Sequence, residues 1–125
     1  MEELKKIIII EDDKDINELI AYNLRRAGFL VEQAFDGEKG LSMVKKNSPA
    51  LIILDIMLPK MDGYDFLGKI KKDDSISNIP VIIVSAKNSP GAIIRGFNLG
   101  AADYIPKPFN IGELILKVKI FWPVP

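Results

Sequence analysis

Glu11, Asp12 and Asp13 follow four isoleucines in "IIIIEDD". Asp55 ends "ALIILD", Ser85 ends "IPVIIVS", and Lys107 lies in "ADYIPKP". Each stands at or just beyond the end of an apolar segment. Clustered carboxylates repel, and each raises the cost of ionising the next. A hard divalent cation held by oxygens offsets that cost, and Mg²⁺ commonly takes one or two carboxylates plus waters. Glu11 and Asp12 therefore read as half of a Mg²⁺ site that Asp55 completes. A metal and a lysine neutralise charge on a transferring phosphoryl group, and a hydroxyl hydrogen-bonds one of its oxygens. A carboxylate can also be the nucleophile, giving an aspartyl phosphate. Singly, these residues say little: acids cap helices, and Asp13 is read as a cap. Capping does not account for Asp55, which precedes a Pro-containing turn.

Bringing these groups together requires a particular arrangement of elements. The 125 residues suit one domain, expected to span 1–125. At 48% hydrophobic the chain can bury a sizeable core. Lys+Arg and Asp+Glu are 17 each, and this balance points to neither direct nucleic-acid binding nor an anionic membrane. With no cysteine there is no disulfide framework, and with no histidine the commonest general base is missing. No apolar run approaches the roughly 20 residues of a membrane span. No signal peptide is visible, so a cytoplasmic location is expected.

Apolar runs alternate with helical patterns. Strands are predicted over 6–10, 29–35, 50–55, 79–85 and within 102–108. Helices are predicted over 14–27, 36–47, 64–73, from Ser89-Pro90 to near Gly100, and over 110–122. In the first helix Ile16, Leu19, Ile20, Leu24 and Ala27 fall at helical spacing, with Asp13 as cap and Gly28 as stop. Runs that are apolar throughout, separated by helices, imply a parallel sheet covered on both faces. The expected fold class is α/β, a flavodoxin-like (βα)5 doubly wound parallel sheet of strand order 2-1-3-4-5. Strands one and three are then neighbours, and Glu11, Asp12 and Asp55 converge beyond their carboxyl ends.

The motifs "IIIIEDD", "LIILDIMLPKMDGYDF", "IPVIIVSA" and "GAADYIPKPF", in this order and at this spacing, closely resemble the receiver domain of two-component response regulators. The resemblance covers essentially the whole chain. It implies that Asp55 is the phosphoacceptor. Asp12 would be a direct Mg²⁺ ligand, as would the main-chain carbonyl of Met57, with Glu11 acting nearby or through water. Ser85 would be the switch hydroxyl, and Lys107 would contact the phosphoryl group. Tyr104, which alone reads as an ordinary packed aromatic, would be the switch aromatic. Pro108 stands where the family commonly has a cis peptide bond. The implied partners are a sensor histidine kinase or phosphotransfer protein and an effector domain or output protein.

In similar winged-helix regulators, the fourth helix and fifth strand often carry charges for a homodimer through the helix4-strand5-helix5 face. Here Ile93 and Ala102 stand where charges are frequent, while Asp103, Glu113 and Lys117 keep theirs. An apolar contact through Ile93 is expected, against the alternative of an isolated exposed side chain. A Mg²⁺-dependent phosphohydrolase is the rival class. Such enzymes often carry a second Asp two residues after the nucleophile, where this chain has Met57. The expected role is a switch that promotes only its own phosphorylation and dephosphorylation. A degenerate, constitutive binding module is the third reading, and the intact acid, hydroxyl and lysine set argues against it.

Overall fold

The computed structural model describes residues 5–123. The elements run β1 (Lys6–Ile10), α1 (Lys14–Arg26), β2 (Leu30–Ala34), α2 (Gly37–Asn47), β3 (Leu51–Leu54), α3 (Gly63–Lys72), β4 (Val81–Ser85), α4 (Pro90–Asn98), β5 (Asp103–Pro106) and α5 (Ile111–Phe121). The strands pair in parallel in the order β2-β1-β3-β4-β5 that the apolar pattern predicts. β1, β3 and β4 are buried along almost their whole length, as strands covered on both faces must be. Alternate strand residues feed two apolar layers. Ile8, Ile10, Ile52, Leu54 and Ile83 pack with α2, α3 and α4 residues. Ile7, Ile9, Ile53, Ile82 and Val84 pack with α1 and α5 residues.

The predicted caps form. Asp13 accepts from the Asp15 and Ile16 amides at the start of α1, and Ser89 accepts from Ala92 ahead of Pro90. Gly28 follows α1 with φ +98°, a conformation that glycine adopts at no steric cost. The inward face of α1 differs from expectation. Leu19 is 49% exposed and Ala27 is exposed, whereas Asn17 is fully buried with Ile20, Ala21 and Leu24. The reason is polar: Asn17 Nδ2 donates to the carbonyls of Glu11 and Ala34, both 3.0 Å away, just past β1 and at the end of β2. Asn17 thereby ties the exits of β1 and β2 together, and the Ala34 carbonyl also accepts from the Glu11 amide.

Ile93 also differs from expectation. It is half-buried and packs against the α2–α3–α4 core layer, because it lies next to the inward residues Ala92 and Gly96. The exposed apolar residues of α4 are Ile94 and Phe97. Asp103 and Lys117 pair with each other at 2.8 Å within the chain.

Candidate functional site

The strand register sets the site. Ile10 is level with Leu54 across β1 and β3, so Glu11 and Asp55 emerge side by side. Backbone bonds fix both exits: the Asp55 amide donates to the Ile10 carbonyl at 2.9 Å, and the Glu11 amide to the Ala34 carbonyl at 3.1 Å. On the other side of β3, the Lys107 amide donates to the Ser85 carbonyl at 2.9 Å, tying the ends of β4 and β5 together. Asp55 leads into a tight loop that returns to α3. A Cβ on Gly63 would lie 2.4 Å from Ile56 Cα and 2.8 Å from the Asp55 carbonyl oxygen, so only glycine permits this approach.

Glu11, Asp12 and Asp55 offer carboxylate oxygens that all lie within 4.8 Å of one another. Glu11 is 3% exposed and Asp55 5%, while Asp12 stands at the open rim. The Asp55 carboxylate is held at both oxygens. Oδ1 accepts from the Met57 amide at 2.9 Å, and Oδ2 from Lys107 Nζ at 2.9 Å. Lys107 Nζ also donates to Glu11 Oε1. The ammonium thus lies between two buried carboxylates, a pairing the sequence reading did not anticipate for Lys107. Burial pushes the Glu11 carboxyl up to about 7; the Lys107 hydrogen bond opposes that rise and the nearby Asp55 charge adds to it. Burial works to lower the Lys107 pKa, and its hydrogen bonds and charge contacts with Glu11 and Asp55 outweigh it, so the net shift is upward. Both shifts fit a cluster with more negative than positive charge.

Ser85 is fully buried, and its Oγ accepts from the Lys87 amide at 3.2 Å. Tyr104 is 7% exposed, and its hydroxyl donates to the Lys87 carbonyl. Burial above all pushes this phenol up to about 12, with nearby Tyr64 adding to the effect. Ser85 and Tyr104 therefore hold the same residue of the β4–α4 loop, one at its amide and the other at its carbonyl. The Lys107–Pro108 peptide is cis.

A family model for the response regulator receiver domain matches residues 7–119. The chain belongs to the response regulator receiver family. Receiver domains are signalling switches of two-component systems rather than classical enzymes. This receiver is 40% identical over 116 residues to the DNA-binding dual master transcriptional regulator RpaA of Synechocystis sp. (strain ATCC 27184 / PCC 6803 / Kazusa), covering 93% of this chain and 48% of that protein. It is 44% identical over 112 residues to the uncharacterized transcriptional regulatory protein YcbL of Bacillus subtilis (strain 168), covering 90% of this chain and 48% of that one. The chain thus spans about half the length of these curated relatives. Among solved structures, the receiver domain of the Francisella response regulator 1452 superposes with a TM-score of 0.88 at 37% identity, covering 94% of this chain and 95% of that one. The Vibrio cholerae chemotaxis response regulator CheY4 superposes with a TM-score of 0.88 at 26% identity, covering 95% of this chain and 99% of that one.

Two polar anchors of the receiver site were missed in the sequence reading. Asn17 was hidden because a polar residue at an inward helical position looks like a break in the apolar stripe; its one cue is its spacing from Ile20, Ala21 and Leu24. Tyr64 falls within the helix predicted over 64–73, and nothing in that pattern marks its hydroxyl for a partner. It is 2% exposed, and its hydroxyl donates to the Ala92 carbonyl on α4 at 3.0 Å.

Proposed function

We propose that residues 1–125 form one receiver domain in which Asp55 accepts a phosphoryl group and thereby controls an output surface. The observation that carries this reading is the convergence of the Glu11, Asp12 and Asp55 carboxylates within 4.8 Å, with Lys107 bound to two of them. The donor set fits Mg²⁺: oxygen ligands only, crowded, with excess negative charge. Asp12, Asp55 and the Met57 main-chain carbonyl would hold the ion, with Glu11 acting nearby or through water. When bound, Mg²⁺ supplies positive charge beside the phosphoryl oxygens.

The chain's own residues do the rest. The Met57 amide and Lys107 fix the Asp55 carboxylate in one orientation, which removes an entropic cost from attack. A carboxylate oxygen attacks phosphorus and forms an O–P bond. The P–N bond of a phosphohistidine breaks, its electron pair stays on the imidazole nitrogen, and that nitrogen takes up a proton. This chain has no histidine, so the donor is a partner: a sensor histidine kinase or a phosphotransfer protein. Lys107 and the Ser85 hydroxyl then turn to the new oxygens.

The output follows from the β4–α4 loop. Ser85 Oγ accepts from the Lys87 amide, so a hydroxyl drawn to a phosphoryl oxygen pulls on the segment that Tyr104 also holds. As the switch aromatic, Tyr104 is taken to change between inward and outward positions. The ring is already inward here, and phosphorylation then stabilises this arrangement over an outward one. The shift is limited by the phosphoryl group's differential interaction with the two states. The face of α4, β5 and α5 changes its preference for an effector domain, an output protein or a second copy of the chain, in the cytoplasm. The test is incubation with acetyl phosphate and Mg²⁺ followed by intact mass. Wild type should gain one base-labile phosphoryl group. An Asp55→Asn variant that gains it at the wild-type rate overturns the assignment.

A further inference from the structure

The geometry points to the open groove between α3 and α4, about 550 Å³ in volume, as a docking site for an acidic peptide segment of a partner protein. This goes beyond the phosphorylation reading and does not depend on it. Lys69 and Lys72 line the α3 wall one turn apart, Lys60 closes one end, and Arg95 stands on the α4 wall. Asp65 is the single acid among the lining residues. Among the described residues the ion pairs are made by Lys6, Lys107 and Lys117, so none of these four cations is paired with a carboxylate. The volume lies within the usual range of ligand pockets.

The shape favours a peptide. Gly68 leaves the α3 wall low, with nothing within 4 Å of where its Cβ would stand. Met61 and Leu99 add apolar lining to the same groove. An extended chain alternates its side chains, so carboxylates can reach Lys69, Lys72 and Arg95 while an apolar residue meets Met61 and Leu99. Single-stranded nucleic-acid sites typically add exposed aromatic faces on which bases stack. The groove's aromatic is Tyr64, which is 2% exposed and has the Arg95 guanidinium 4.1 Å from its ring centroid. A membrane surface is flat and would meet convex cations, not cations set between two helices.

The experiment is fluorescence anisotropy with a labelled Glu-Asp-Leu-Glu-Asp peptide and its neutral Gln-Asn-Leu-Gln-Asn counterpart. The acidic peptide should bind and the neutral one should bind at least about tenfold more weakly. Lys69→Glu with Lys72→Glu should weaken acidic-peptide binding at least about tenfold, and Lys60→Glu should weaken it in a separate variant should the double one not fold. Reversal of Lys45 and Lys46 on α2, neither of which lines the groove, should leave it within about twofold. Equal binding of both peptides, wild-type binding by the groove variants, or an equal loss from the α2 reversal overturns the proposal. So does tighter, groove-dependent binding of a single-stranded oligodeoxynucleotide or of phosphatidylserine vesicles. Unaltered Asp55 phosphorylation by acetyl phosphate in the groove variants keeps this result separate from the fate of the phosphoacceptor assignment.

Discussion

Asp12 and Asp13 are adjacent, alike in charge and both exposed, yet their side chains do different work. Asp13 is used up in capping, accepting from two amides of α1. Asp12 keeps its carboxylate with Glu11 and Asp55. Asp12→Ala should therefore lose most Mg²⁺ binding and most phosphorylation with little change in stability, and isothermal titration against wild type would measure it. Wild-type affinity in that variant would make Asp12 a bystander. Tyr104 gives a pH test of the inward ring. Its folded pKa is raised from 10.0 to about 12, so its stabilising contribution is complete below pH 10 and is lost as pH rises through about 12. At pH 11 an ordinary phenol is about nine-tenths ionised and an inward Tyr104 about one-tenth. The difference in 295 nm absorbance between wild type and Tyr104→Phe should thus be small at pH 11. A full tyrosinate signal there would mean that the ring lies outward in solution. Asp13, Asp55 and Lys107 were legible because their places relative to strands and helices follow from spacing alone. The bond between Lys107 and Glu11 was not, because it depends on side-chain reach past the ends of β3 and β4.

At the scale of elements, α3 is bound at its head to both the loop after Asp55 and α4. Gly63 packs on Asp55 and Ile56, and the next residue, Tyr64, donates its hydroxyl to Ala92. Tyr64→Phe removes that bond and leaves a buried carbonyl with less satisfaction. The expected cost is about 1 kcal/mol in urea unfolding. Amides in the first turn of α4 should exchange faster with solvent, while those of α1 stay unchanged. Uniform acceleration in both helices would mean that Tyr64 serves global stability only. The strand order and helix limits were legible to within a residue or two, because the alternation of apolar runs and helical periods leaves few arrangements. The facing of individual residues was harder. Ile93 and Ile94 differ by one position, and a helical turn of 100° per residue decides which one packs and which one is exposed.

For the molecule as a whole, apolar exposure is uneven. Ile94 and Phe97 on α4 are exposed at 59% and 45%, and Leu116 and Ile120 on α5 at 56% and 60%. If the proposed output face is also a self-association face, Ile94→Lys with Phe97→Lys should abolish assembly of the beryllofluoride-treated protein in sedimentation. The same change should leave Asp55 phosphorylation intact. Ile93→Lys, by contrast, should cost about 1–3 kcal/mol in stability, since its side chain packs on the core layer. Identical sedimentation of wild type and the double variant in the treated form would remove α4 from any such contact.

The hydrogen bond from Lys107 to Glu11 spans 96 positions of sequence. Its partners leave β5 and β1, near opposite ends of the chain order, so the constellation closes only through a contact of long sequence separation. A nascent chain that has emerged only through β4 holds the three acids and the Ser85 hydroxyl but lacks the ammonium between them. Such a species has excess buried charge at its rim and an unpaired β4 edge. On the proposed phosphoacceptor role of Asp55, competence to receive a phosphoryl group would arrive only with the last strand.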